Sequence, residues 1–400
     1  MTTSASRVNA DASAARHTPI PAFSLTRQYE SIEDEIHSAV NRVLASQHFI
    51  GGPELEQFEA EAAKFLGVSA VVGCASGTDA LWLALEAAGV GPGDAVLTTP
   101  FSFFASASSI ARCGATPIFA DIDPATLNLS PESAKSVLKS SVQGVKAIMP
   151  VHLYGQCADM SAFQQLGEAF GASVIEDAAQ AFGAKWRGGM AGSLGKAAAF
   201  SFYPTKNLGA SGDGGCVATD DPDLAGRVRT FRNHGSQRRY YHEAFGWNSR
   251  LDALQCAILR VKLRHLNEWN DQRRAVAARY SAGFDSAGLT KPQNTAPDRH
   301  APIAPLAVNP ETFHIFHQYV VRAYRRDELR AFLSQEGIGT EIYYPVPLHL
   351  QKAFAHLGHS QGAFPEAERA SAEVLALPMF PELREEEQQR VVTTIAEFYS

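Results

Sequence analysis

Apolar residues recur at helical spacing from residue 53 to residue 66. Leu55, Phe58, Ala62 and Phe65 share one face, Pro53 suits a first helical turn, and Gly67 supplies the stop. Residues 70–74 then form a short continuous apolar run. Ser76-Gly77-Thr78-Asp79 opens a second helical pattern over 80–88, closed by Gly89. Further apolar runs at 95–98, 117–120, 147–151, 173–175, 197–202 and 216–219 predict strands, with helical patterns between most of them. This alternation predicts an α/β fold whose sheet is mainly parallel and covered on both faces.

After about Arg250 the pattern changes. Residues 251–281 predict one long helix, with Leu254, Ile258, Val261 and Leu266 among its apolar positions. Residues 291–305 are rich in proline and polar side chains and predict a loop. A strand (318–323), a helix (326–335), a strand (340–344) and a final helix (385–399) follow, which predicts a smaller α+β domain. The expected organisation is a disordered tail over 1–20, a large α/β domain over 21–265 and a small domain over 266–400. The tail is rich in Ala, Ser and Thr and lacks an apolar signal core.

Composition narrows the partners. A net charge of -7 and a pI near 6.0 argue against bulk attraction to nucleic acid or membrane surfaces. No apolar run is long enough to span a bilayer. The five cysteines are scattered without a Cys-x-x-Cys pair, which reads as reduced thiols in a cytoplasm.

The candidate chemistry centres on Lys206. An apolar strand ends in Pro204, then this lysine, then a glycine-rich turn before the chain resumes as a strand. A lysine at the end of a buried strand is costly unless neutral, paired or covalently used. It is either a surface lysine on a hairpin or a Schiff-base lysine for an aldehyde cofactor. Three further features each carry two readings. Ser76-Gly77-Thr78-Asp79 is a plain capped helix or a phosphate site at a helix N-terminus. Asp177, after Val174-Ile175-Glu176, caps the next helix or holds a pyridinium nitrogen protonated. Phe103 is a core residue or stacks on a planar ring. Together, in this order, they make a set of parts for pyridoxal 5'-phosphate. Other motifs fail. Residues 189–196 superficially suggest a phosphate-binding loop, but the spacing is wrong and Ala197 replaces the required Ser or Thr. His314 with His317, and His356 with His359, lack a ligand set, so no metal is expected and a structural or solvent role fits both pairs.

The stretches CASGTDAL, TTPFSFFAS, PVHLYGQCADM, VIEDAAQAFGA, SFYPTKNLGASGDGG, RNHGSQRRYYH, GWNSRLDALQCAIL and EIYYPVPLHLQ resemble the DegT/StrS family of nucleotide-sugar aminotransferases, from about Pro21 to the C-terminus. The resemblance implies a fold-type-I enzyme with a seven-stranded, mainly parallel sheet. It implies that Lys206 forms the internal Schiff base and shuttles the proton, and that Asp177 binds the pyridine nitrogen. It places Gln180 near the ring's phenolic oxygen and Phe103 on the ring face. It assigns Gly77, Thr78 and Asp79, with the Ser201 hydroxyl, to the phosphate, and has Asn248 reach the phosphate of the partner subunit in a homodimer with shared sites. Arg250, Tyr343, Tyr344 and His349 match positions near the substrate. Tyr343-Tyr344-Pro345 departs from the His-Tyr-Pro of many relatives.

The implied reaction moves an amino group from glutamate to a nucleotide-linked keto-sugar. The cationic, aromatic loop 232–242 resembles that of enzymes acting on UDP-linked 2-acetamido-3-keto-uronates, with Arg238 and Arg239 on the substrate. A TDP-linked 3-keto-6-deoxyhexose or a 4-keto-sugar is the alternative. Dehydratases of this fold replace the lysine with histidine, so Lys206 argues against that chemistry. A regulator using the cofactor site as a sensor is a further alternative.

Overall fold

The computed structural model describes residues 18–141, 144–290 and 296–400. Seven strands form the central sheet: β1 (Ala70–Cys74), β2 (Ala95–Thr98), β3 (Thr116–Phe119), β4 (Val145–Ile148), β5 (Ser173–Asp177), β6 (Ala197–Ser201) and β7 (Gly215–Thr219). Their order is β1-β7-β6-β5-β4-β2-β3. Only β7 runs against its neighbours, and the others are mutually parallel. The parallel strands therefore all end on one edge of the sheet. The candidates of the sequence analysis follow those ends: Gly77 after β1, Phe103 after β2, Asp177 at the end of β5 and Lys206 after β6. Open α/β sheets bind ligands at this edge.

Helices cover both faces. Along each strand, alternate residues enter opposite cores: Phe200 and Ala198 pack with Phe58, Phe163 and Phe182, while Ala197 and Ala199 pack with Trp82, Leu83 and Ile110. The pattern is apolar throughout because neither face meets water.

The helix Ala253–Ser286 links two cores. Its first half gives Cys256, Leu259 and Leu266 to the core under the large sheet, and its second half gives Val276, Tyr280 and Phe284 to another. The expected division at residue 265 falls inside this continuous helix. The second core lies under an antiparallel sheet of Ile303–Pro305, Tyr319–Ala323 and Val374–Leu377 and includes Leu329, Leu333 and Ile395 from the helices Arg326–Gln335 and Glu385–Tyr399. Ile20, at the end of the expected tail, is buried in it, whereas residues 1–17 lie outside the described residues.

Three expectations need correction. Residues 340–344 do not form a strand: only Glu341 bridges to Ala376, and Pro345 follows closely with no amide to donate. The third strand is instead Val374–Leu377. Within the expected loop, 291–295 lie outside the described residues and Ile303–Pro305 pairs with Tyr319–Ala323. A helix not anticipated, Thr26–Ser46, packs Ile32, Ile36, Ala39 and Val43 against Ala257, Ile258 and Val261 of the long helix. Among the described residues, no helix is long and apolar enough to cross a membrane.

Candidate active site

Asp177 is buried at the end of β5. Its backbone joins the segment after β4 through its N–H to Pro150 O at 3.0 Å and its carbonyl from His152 N–H at 3.0 Å. Ser106 Oγ donates to carboxylate Oδ2 at 2.6 Å, and Ala179 N–H reaches Oδ1 at 3.2 Å. Burial raises the Asp177 pKa, and these two hydrogen bonds and then the nearby Lys206 oppose the rise. The site thus holds a carboxylate that a cationic partner would keep ionised.

Lys206 lies in the turn between β6 and β7. Its pKa falls from the ordinary 10.5 to about 8 because burial disfavours the ammonium, with Asp177 opposing the fall. A buried lysine, Lys262, is also lowered to about 8 by burial, but its Nζ donates to Gly209 O at 2.8 Å and braces the same turn, whereas Lys206 is half-buried. Asn207 anchors the turn as well, donating to Asn270 Oδ1 at 2.7 Å and accepting from His317 Nδ1 at 3.1 Å. His317 is thereby structural, as the sequence analysis expected, and burial pushes its pKa well below 6.5.

The helix Gly77–Ala87 begins against the end of β6. A Cβ at position 77 would lie 2.5 Å from Ser201 Cβ, so only glycine lets the helix terminus approach that strand. Ser76 caps the helix by accepting Asp79 N–H at 3.1 Å. This changes the role expected of Asp79. Its amide is spent on the cap, and its carboxylate takes Arg112 Nη1 at 2.6 Å and Ser249 Oγ at 2.7 Å. The open positive end of the helix is left to the Gly77 and Thr78 amides beside the Ser201 hydroxyl.

An aromatic wall closes the other side. Phe103 is 56% exposed although it sits between buried Ser102 and Ser106, which leaves its ring face free for a planar partner. Tyr344 packs against Phe103 at 6.2 Å and Phe101 at 6.2 Å and accepts Gln180 Nε2 at 3.0 Å. Gln180 Oε1 accepts Tyr154 N–H at 2.6 Å, and the Tyr154 hydroxyl donates to Tyr343 O. The amide of Gln180 is therefore fixed from both ends, with one N–H left to offer.

The remaining expected residues scatter. Arg238 and Arg239 are exposed, stacked on Tyr241 and Tyr240 at 4.5 and 4.9 Å. Asn248 is exposed in the same loop. Arg250 is half-buried, and its Nε has no partner among the described residues. His349 is a correction. Its side chain is fully enclosed, pairs with Glu368 at 3.0 Å and packs on Phe364, so it braces the fold and offers no open face to a substrate.

A family model described as the DegT/DnrJ/EryC1/StrS aminotransferase family matches residues 30–396. The chain belongs to this family. The "Pleiotropic regulatory protein" of Geobacillus stearothermophilus is 50% identical over 384 residues, covering 95% of this chain and 98% of that protein. The dTDP-3-amino-3,4,6-trideoxy-alpha-D-glucose transaminase of Streptomyces venezuelae is 43% identical over 379 residues, covering 95% and 96%. The UDP-N-acetyl-3-dehydro-alpha-D-glucosamine 3-aminotransferase of Acidithiobacillus ferrooxidans is 43% identical over 380 residues, covering 95% and 98%. The crystal structure of S. venezuelae DesV superposes with a TM-score of 0.89 at 42% identity, covering 96% of this chain and 99% of that one.

DegT-family aminotransferases depend on pyridoxal phosphate. The residues here fit that group: a glycine-lined helix terminus, a free aromatic face, a buried carboxylate short of a cation and a lysine of lowered pKa occupy adjacent strand ends. Gly77, Thr78 and Ser201 would hold its phosphate, Phe103 its ring face, Asp177 its ring nitrogen and Lys206 its aldehyde carbon. When bound, it supplies an electron sink for amino-group transfer. The chain's own part would then be to keep Asp177 anionic and to keep a neutral fraction of Lys206 available to take and return a proton.

Proposed function

We propose that the chain is a homodimeric aminotransferase that carries an amino group from glutamate to a nucleotide-linked 3-keto-sugar. The observation that carries the reading is Lys206, desolvated beside the buried Asp177 at the shared strand edge. The two transaminases above bear names that mark amination at C3, which supports a 3-keto acceptor here. Exposed Arg238 and Arg239 suit a nucleotide diphosphate, and exposed Asn248 suits the phosphate pocket of a second subunit.

Within this class, a UDP-linked 2-acetamido-3-keto-uronate is the first candidate for the loop 232–242. A specific observation favours the TDP-linked 3-keto-6-deoxyhexose. The cavity of about 320 Å3 bordered by Thr205 and Tyr343 is lined by Glu341, Met379 and Leu377 and by no lysine or arginine among the described residues. A sugar carboxylate there would face the like-charged Glu341 with no lysine or arginine to offset it, whereas a neutral methyl group would meet no such repulsion.

The test follows the two half-reactions separately. Glutamate should convert the bound cofactor to its amine form, and a panel of 3-keto and 4-keto nucleotide sugars should then discharge it. Arg238→Ala and Arg239→Ala, taken singly, should slow the sugar half-reaction about tenfold and leave the glutamate half-reaction nearly unchanged. Equal loss in both would remove Arg238 and Arg239 from the sugar substrate, and faster discharge by a 4-keto-sugar would overturn the 3-keto assignment. A protein that completes only the first half-reaction would be a sensor.

A further inference from the structure

Asp177 receives one side-chain hydrogen bond among the described residues, and it comes from Ser106, the last residue of the stretch TTPFSFFAS, to which the sequence assigned no role. Ser106 Oγ lies 2.6 Å from Asp177 Oδ2, and Ser102 Oγ lies 2.8 Å from Ser106 Oγ. All three residues are buried, with 4% of Asp177, 1% of Ser106 and 4% of Ser102 exposed. An ionised carboxylate only accepts, so Ser106 donates to it. A hydroxyl has one proton, so the second contact must run from Ser102 to Ser106. Two hydroxyls in series thus point at one carboxylate, each polarising the next.

The same turn presents the ring-stacking residue. Ser106 N–H donates to Phe103 O at 3.1 Å, so the residue that clamps the carboxylate is hydrogen-bonded to the one whose exposed ring faces the site. Lys206 lies near enough to Asp177 to act through charge, while His152 is committed to Glu176 and the Tyr344 hydroxyl to Gln180. None of them replaces the Ser106 donor.

We propose that Ser106 is a positioning residue: through its hydroxyl it holds Asp177 anionic and oriented toward the ring nitrogen of the bound cofactor, while its turn fixes the ring plane through Phe103. This rests on the assignment of the site to pyridoxal phosphate. Without the hydroxyl, Asp177 becomes the stronger base. The proton shared with the ring nitrogen then moves toward the carboxylate, and the ring withdraws electrons less well.

The experiment reconstitutes the wild type, Ser106→Ala and Ser106→Thr with pyridoxal phosphate labelled with 15N in the ring and records the nitrogen chemical shift. The wild type and Ser106→Thr should show a pyridinium signal, and Ser106→Ala should move toward neutral pyridine. The glutamate half-reaction of Ser106→Ala should slow about tenfold to a hundredfold with KM for glutamate little changed. Should Ser106→Ala fail to fold, Ser106→Cys, of similar size and a weaker donor, should show an intermediate shift. A wild-type signal in the variant that lacks the donor, or equal impairment of Ala and Thr with no change in shift, would overturn the proposal. A wild type that binds no cofactor would instead overturn the site assignment and the proposal with it.

Discussion

His152 Nε2 lies 2.9 Å from Glu176 Oε2, in a pair with no solvent exposure on either side chain. Ala158 N–H donates to His152 Nδ1 at 3.1 Å, so the proton sits on Nε2 and points at the carboxylate. Glu176 also accepts the amides of Gly192, Leu194 and Gly195 at 2.7 to 2.9 Å. The glycine-rich segment 189–196, which mimics a phosphate loop, thus binds an anion belonging to its own chain. Glu176 and Asp177 are neighbours on β5 and point to opposite faces. One locks the fold while the other serves the site.

Glu176→Ala leaves four donors without an acceptor, two of them, His152 and Gly192, buried. It should lower unfolding free energy by on the order of 4 kcal/mol, measured by urea titration. Glu176→Gln, which keeps an acceptor oxygen, should lose less. A loss under about 1 kcal/mol for Ala would show that water or a shifted backbone replaces the carboxylate.

The pair Arg27–Glu387 gives a pH signature. Arg27 donates twice to the Glu387 carboxylate, at 2.6 and 2.8 Å, tying the first described helix to the last. This bond, the largest cause, holds the Glu387 pKa at about 2, below the ordinary 4.5. A depressed carboxylate contributes stability that is present above pH 4.5 and lost as pH falls toward 2. Wild type and Arg27→Ala should differ by about 1 kcal/mol above pH 4.5, and the gap should close below it. A gap that widens on acidification would contradict the assignment.

The proposed shared site predicts complementation. Lys206→Ala and Asn248→Ala should each be nearly inactive as pure proteins. Mixed and refolded together, they should regain about a quarter of wild-type activity, because half of the subunits join heterodimers and each heterodimer holds one intact site. Sedimentation showing a fully active monomer would rule the arrangement out.

The fold was legible where strands are buried on both faces, because such strands read as unbroken apolar runs ending in a chemically distinct residue. That is why Asp177, Lys206 and Phe103 stood out. The helix Thr26–Ser46 was written in the spacing of Ile32, Ile36, Ala39 and Val43 and could have been read from it. Residues 340–344 misled because Ile342, Tyr343 and Tyr344 have strand propensity, which the following proline outweighs. Ser106 closed the matched stretch TTPFSFFAS but drew no role, since a serine in a small-residue helix looks like filler. His349 could not be separated from a substrate ligand, because its partner Glu368 is brought to it only by tertiary structure.

The central claim is that Lys206, and not the equally depressed Lys262, carries the cofactor. Borohydride reduction of the holoenzyme followed by peptide mapping tests it most directly. The cofactor should be fixed to Lys206 alone, Lys206→Ala should take no covalent label, and Lys262→Met should still be labelled at Lys206. Label on Lys262, or undiminished labelling of Lys206→Ala, would contradict the account.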